Sequence, residues 1–236
     1  MMTAVRLVLA SSSPRRAEIL EAAGFTFDTL AVDIDESVRP GEKPAAYVRR
    51  LALEKSARAQ AMLSSGPAGL AGRVGQMGQV GQVGRVGQGG TVGLMGQVGL
   101  RHDDRMSLEE LIILGADTTV VVDGEILGKP RDSADAERML RCLSSRRHEV
   151  MTGISLRRNE TEWGSVETTA VDFMSLSEAD VAWYCGSAEG RDKAGGYAIQ
   201  GLASRFITRI EGSYSNVVGL PVAVVSRLLH RLASAE

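Results

Sequence analysis

Short apolar runs and helical stripes alternate along this chain. Residues 5–10, VRLVLA, are a mostly apolar run of strand length and predict a buried strand. The next stretch, SSSPRRAEILEAAG, carries helix signals at both ends: Ser13 as N-cap, Pro14 at the first helical position, and Gly24 as the stop. A strand over FDTLAVD follows, then the polar loop DESVRPGEKP, then a helix from about residue 44 to 63. In that helix Tyr47, Val48, Leu51 and Ala52 form an apolar stripe, and the i+4 step from Leu51 lands on Lys55.

Beyond residue 110 the alternation resumes. ELIILGADTTVVVDGEILGKP predicts two strands that turn at Asp123-Gly124 as a hairpin would, so the sheet is mixed rather than all parallel. DSADAERMLRCL reads as a helix capped by Asp132 or Ser133, and HEVMTGISLRR with SVETTAVDFMSL as paired strands. SEADVAWYC opens with the capping pattern Ser177-x-x-Asp180. A glycine-bearing loop, GRDKAGGYAIQG, leads to FITRIEGSYSNVVGLP and a last helix starting on Pro221. Together these elements describe an α/β chain.

Between the two halves lies a different pattern. Glycine stands at every third position from Gly66 to Gly99, and 13 of the 27 glycines fall there, so glycine usage elsewhere is ordinary. Collagen needs frequent proline in its triplets, whereas Pro67 is the only proline in this run. Glycine at one position in three makes ordering costly, so residues 66–106 read as a flexible low-complexity insertion within one domain covering 1–236.

Composition removes several function classes. A chain of 236 residues, 44 % hydrophobic, can bury a sizeable core. Its net charge of -2 gives no basic footprint for polymeric nucleic acid, though it leaves room for a local positive pocket around a small polyanion. Cys142 and Cys185 have no CxxC spacing and no histidine cluster beside them, which argues against structural zinc and a disulfide framework. No run approaches the roughly 18 apolar residues of a membrane-spanning helix, and VRLVLA meets no signal-peptide cleavage pattern. The expected location is the cytoplasm, without membrane attachment.

The candidate chemistry sits at element ends. LASSSPRR joins a strand to a helix N-terminus, where unpaired N–H groups, the helix dipole, Arg15 and Arg16 suit a phosphate; a capped helix with two solvated arginines is the plainer alternative. No G-K-[ST] follows, so this is not a Walker A loop. Lys55 either snorkels at the edge of its stripe or points its ammonium into a cleft. Asp117 follows an apolar strand and a glycine, and is either a turn aspartate or a strand-end carboxylate that, with Glu36 and Asp35, suits a hard cation such as Mg²⁺. Lys129 comes soon after, held by the turn at Pro130. In DKAGGYAIQG, Gly195 and Gly196 permit close backbone approach, and Gln200 has the donors and acceptors to read a base edge. His102, His148 and His230 are scattered and read as surface or strand-edge residues, and Ser11 to Ser13 lack a nucleophile-elbow pattern.

Taken in order, LASSSPRRAEIL, DESVRP, LALEKSARA, LGADTTVVVDGEILGKPRD, DKAGGYAIQG and GSYSNVVGLP resemble the Maf family of nucleoside triphosphate pyrophosphatases, over residues 5 to about 65 and 110 to 232. The resemblance implies an elongated mixed sheet flanked by helices, with a cleft between two lobes in the Maf/ITPase-like manner, and it is compatible with a homodimer. It also implies hydrolysis of a nucleoside triphosphate to the monophosphate and pyrophosphate, with Mg²⁺ or Mn²⁺. By the same resemblance Asp117 is the proton acceptor and, with Glu36, a metal ligand. Glu36, Lys55 and Lys129 complete the catalytic set, and Ser13, Arg15, Arg16, Thr118 and Gln200 bind substrate or set specificity. Arg15 after the Ser-Pro pair, Thr118 after the aspartate and Gln200 in IQG match the branch acting on dTTP and UTP, with modified pyrimidine nucleotides as further substrates. The alternatives are the 7-methyl-GTP branch, which carries Trp after Ser-Pro and Glu in the late loop, and a nucleotide-binding regulator of cell division. The resemblance further implies that the glycine triplets lengthen a connection that is short in the family.

Overall fold

The computed structural model describes residues 6–65 and 111–233. The glycine-triplet segment, 66–106, lies outside the described residues, as does His102. Among the described residues, seven strands form one mixed sheet: β1 (Arg6–Ala10), β2 (Phe27–Thr29), β3 (Leu111–Val122), β4 (Glu125–Leu127), β5 (Arg147–Arg158), β6 (Thr161–Phe173) and β7 (Ile207–Glu211). Their order is β2-β1-β3-β5-β6-β7, with β4 paired to β3. The helices are α1 (Pro14–Ala22), α2 (Pro44–Ser64), α3 (Ser133–Leu143), α4 (Glu178–Gly186), α5 (Tyr214–Val218) and α6 (Val222–Ala233). This is the mixed α/β architecture expected.

The sheet changes character at β3. β1 runs parallel to both β2 and β3, whereas β3, β5, β6 and β7 are successively antiparallel. Parallel pairing requires a crossover, and α1 and α2 lie in the connections that supply it. The turn between β3 and β4 is the hairpin expected, with Asp123 at φ 50° and Gly124 at φ 79°, the left-handed pair that a two-residue turn demands. The strand expected over FDTLAVD is shorter: Phe27–Thr29 lie in register with β1, and the last bond to it is from the Leu30 N–H to the Leu9 carbonyl. Helix ends follow the local signals: Asp132 accepts from the Asp135 N–H, and Ser177 with Asp180 forms a reciprocal capping box. Ser13 takes the N-cap backbone position of α1 without a side-chain capping bond.

Two apolar clusters lie side by side on one face of the sheet, because Leu114 and Val120 point the same way from β3. Leu7, Leu9 and Leu114 pack with Leu20 of α1 and with Val224, Val225 and Leu228 of α6. Val120, Val150 and Val171 pack with α3, α4 and the segment around Tyr197. Helix α2 lies very close to β3 and β5: a Cβ on Gly115 would come within 2.2 Å of the Ala52 carbonyl oxygen, and one on Gly153 within 2.1 Å of that of Val48. Both glycines are therefore required by the approach of a helix backbone. Among the described residues, no helix is long and apolar enough to cross a membrane.

Candidate active site

A gap in the sheet makes the site. β1 ends at Ala10 opposite Gly115, while β4 first joins β3 at Val120, so the edge of β3 between those points has no strand beside it. Side chains on both faces of β3 reach this opening, which is why Asp117 and Thr118, neighbours on a strand and pointing to opposite faces, line the same cleft. Helix α1 starts where β1 stops, with its N-terminus at the opening. In open α/β sheets such a strand end is where ligands bind. The cleft encloses about 350 Å³.

All nine residues expected at the site line this cleft: Ser13, Arg15, Arg16, Glu36, Lys55, Asp117, Thr118, Lys129 and Gln200. Asp35, considered as a third carboxylate, does not; its Oδ1 instead accepts from the Ser37 N–H at 2.9 Å in an exposed turn. Five cationic side chains, the fifth being Lys193, face three carboxylates, Glu36, Asp117 and Asp192. The wall is thus net positive in a chain of net charge -2.

Lys55 settles the choice posed by its helical stripe: it is 7 % exposed and points inward. Its ammonium donates to Asp117 Oδ1 at 2.6 Å and lies 2.6 Å from Glu36 Oε1. Lys129 approaches the other Glu36 oxygen at 3.8 Å from a more exposed position. Burial acts against the Glu36 carboxylate, but the hydrogen bond and charge of Lys55, with Lys129 and Arg16, hold its pKa below the ordinary value. The Glu36 loop is itself clamped to α2. Tyr47 Oη donates to the Glu36 carbonyl at 2.9 Å, and Arg50 donates to the Ser37 carbonyl at 3.0 Å while pairing with Glu42 at 2.6 Å. Burial, with the charges of Asp117 and Glu36, pushes the Tyr47 phenol up to about 12.

On the other face of β3 stands Arg16, 8 % exposed. Its guanidinium donates to the Gly219 carbonyl at 2.8 Å, to Ser11 Oγ at 3.1 Å and to Thr118 Oγ1 at 3.1 Å. Burial pulls its pKa below the ordinary value against the opposing influence of Asp117. Arg15 reaches across the mouth to Asp192 at 3.6 Å. The late loop closes that side: Gly195 at φ 69° packs its Cα against Val120, and its N–H donates to the Gly128 carbonyl next to Lys129. Gln200 sits exposed at its end.

Tyr47, Asp192 and the Gly219 carbonyl belong to the site without having been expected there. Tyr47 reads in the sequence as one more member of an apolar stripe, and only its hydroxyl hinted at a second role. Asp192 stands immediately before Lys193 in the motif that drew attention for its glycines.

For a divalent metal, the described residues contain no group of three His, Cys, Asp or Glu that would hold one unaided. Glu36 and Asp117, bridged by one ammonium, do suit Mg²⁺ in its usual manner, with one or two carboxylates and the remaining ligands from phosphate and water.

An α/β sheet with a helix N-terminus and a cationic cleft built around a buried carboxylate defines a protein that binds a small polyanion and can activate water beside it. The chain belongs to the Maf family: the model of Maf-like proteins matches residues 6–232. It is 43 % identical over 232 residues to a dTTP/UTP pyrophosphatase of Anaeromyxobacter dehalogenans (strain 2CP-C), covering 97 % of this chain and 94 % of the relative. It is 40 % identical to a protein of the same description from Vibrio vulnificus (strain YJ016), over 95 % of this chain and 97 % of the relative. A third, from Vibrio cholerae serotype O1 (strain ATCC 39315 / El Tor Inaba N16961), is 38 % identical over 98 % of this chain and its whole own length.

Proposed function

We propose that this chain is a nucleoside triphosphate pyrophosphatase acting on dTTP and UTP, and that it works in the cytoplasm. The observation that carries the mechanism is the Asp117 carboxylate, buried and held by the Lys55 ammonium at 2.6 Å within a cleft walled by further cations. Water attacks the α-phosphorus, the bond from that phosphorus to the α–β bridging oxygen breaks, and nucleoside monophosphate and pyrophosphate leave. Asp117 takes the proton from the attacking water, and Lys55 fixes the orientation of the carboxylate. Arg15, Arg16, Lys129, Ser13 and the α1 N-terminus hold the triphosphate and neutralise charge as the leaving pyrophosphate forms. Glu36 and Asp117 would hold a Mg²⁺ or Mn²⁺ ion together with phosphate oxygens; when bound, such an ion adds charge neutralisation. Gln200 reads the base from the cleft mouth, while Thr118 acts through the arginine that it supports.

The test is a comparison of kcat/KM for dTTP, UTP and 7-methyl-GTP with and without Asp117→Asn. dTTP and UTP are expected to lead, and the variant to lose on the order of 10²–10⁴-fold in kcat. A preference for 7-methyl-GTP would overturn the substrate assignment, and undiminished pyrophosphate release by the variant would overturn the role of Asp117.

A further inference from the structure

GSYSNVVGLP stands out in the sequence, yet most of it takes no direct part in the chemistry above. It is organised around Asn216, which is fully buried and lies behind the cleft wall formed by Val217, Val218 and Gly219. The Asn216 amide donates to the Val150 carbonyl at 2.9 Å and to Thr169 Oγ1 at 3.0 Å, tying the segment to β5 and β6. Its backbone carbonyl accepts from the Gly219 N–H at 3.0 Å and from Thr152 Oγ1 at 3.4 Å.

Both of those donors lead to Arg16. The Gly219 carbonyl accepts from Arg16 Nε, and Thr152 Oγ1 lies 2.9 Å from Thr118 Oγ1, which accepts from Arg16 Nη2. Gly219 itself, at φ 128°, is in a conformation that disfavours any side chain. A guanidinium has five N–H groups. Its three bonds here use one on each nitrogen, so Nη1 and Nη2 each keep one, and two such nitrogens can take two oxygens of one phosphate.

We propose that Asn216 is a positioning residue that sets Arg16 as a two-pronged phosphate ligand, acting through the Gly219 carbonyl and the Thr152 hydroxyl without touching the nucleotide. The inference rests on the reading of Arg16 as a triphosphate ligand. An Asn216 that served only to hold the fold would weaken binding equally whether or not residue 16 could act as a fork. The purified full chain is therefore compared as wild type, Asn216→Ala, Arg16→Lys and the double variant, with calorimetric binding of inorganic tripolyphosphate as the readout and thermal unfolding alongside.

Asn216→Ala is expected to weaken tripolyphosphate binding about tenfold, the scale of one misplaced hydrogen bond to a charged group. In the Arg16→Lys background, where the charge remains and the fork is gone, the further loss is expected to stay under about twofold, because the two residues are coupled through one hydrogen-bond relay. Equal losses in the two backgrounds would overturn the inference. Unchanged tripolyphosphate binding by Arg16→Lys alone would instead overturn Arg16 as a phosphate ligand. If Asn216→Ala does not fold, Thr152→Val, which cuts the other arm of the relay, goes through the same cycle under the same criterion.

Discussion

His148 corrects the sequence reading at the scale of a single residue. It was expected at a surface or strand edge, yet it is 2 % exposed, with Nε2 2.8 Å from the Tyr197 hydroxyl and ring edges against Phe173 and Tyr197. Nothing in its neighbours, Arg147 and Glu149, announces burial; β5 alternates here, and His148 falls on the inward face. Burial lowers its pKa to about 4. The unfolded chain therefore takes up a proton on this residue at a higher pH than the folded one. The stability that this residue contributes as a neutral ring is fully present above pH 6.5 and is lost as pH falls toward 4. The expected loss is about 3 kcal/mol across that window, at roughly 1.36 kcal/mol per unit. Denaturant unfolding at several pH values checks this: His148→Gln should flatten the slope between pH 6.5 and 4, and an unchanged slope would assign the acid sensitivity elsewhere.

At the scale of the element, α2 carries more of the site than its sequence suggested. Its stripe and the odd lysine in it were legible, because 3.6-residue periodicity puts Tyr47, Val48, Leu51, Ala52 and Lys55 on one face, and all five are buried. The direction of the Lys55 ammonium was not legible, since it depends on how near the helix lies to β3. Gly115 and Gly153 decide that distance, and they come from strands far along the chain. Replacing either by alanine must lift the helix, because the new methyl would collide with backbone that cannot swing aside. The expected cost is about 1–3 kcal/mol in unfolding free energy. Activity should fall beyond what that loss explains, since Lys55 would draw away from Asp117; kcat/KM measured where both variants remain folded is the check.

Over the whole molecule, the order of elements and the mixed sheet could be anticipated from alternating strands and helices, and the motif positions from the family resemblance. The opening between β1 and β4 could not, because a local pattern does not say which strands end early beside which neighbours. The connection from Ser65 to Leu111 bears on the same point. Met62 and Leu63 pack into one cluster with Leu111, so the two ends of this connection are close in space. They also lie far from the chemistry: Lys55 is ten residues back along α2, about 15 Å, and Asp117 six residues into β3, about 20 Å. Deleting residues 68–104 is thus expected to leave dTTP hydrolysis within about twofold, since loop length alters closure entropy only logarithmically. A folded deletion variant without activity would count against reading 66–106 as an insertion.

The bond from Arg16 to the Gly219 carbonyl spans 203 residues of sequence. During synthesis the arginine leaves the ribosome ahead of its anchor, by about 10 to 40 s at common elongation rates. Through that interval α1 has its cations but not the carbonyl that aims one of them, and α6, which shares a core with β1, has not yet arrived. The Arg16 side of the cleft is therefore complete only once the segment carrying Gly219 has closed on α1.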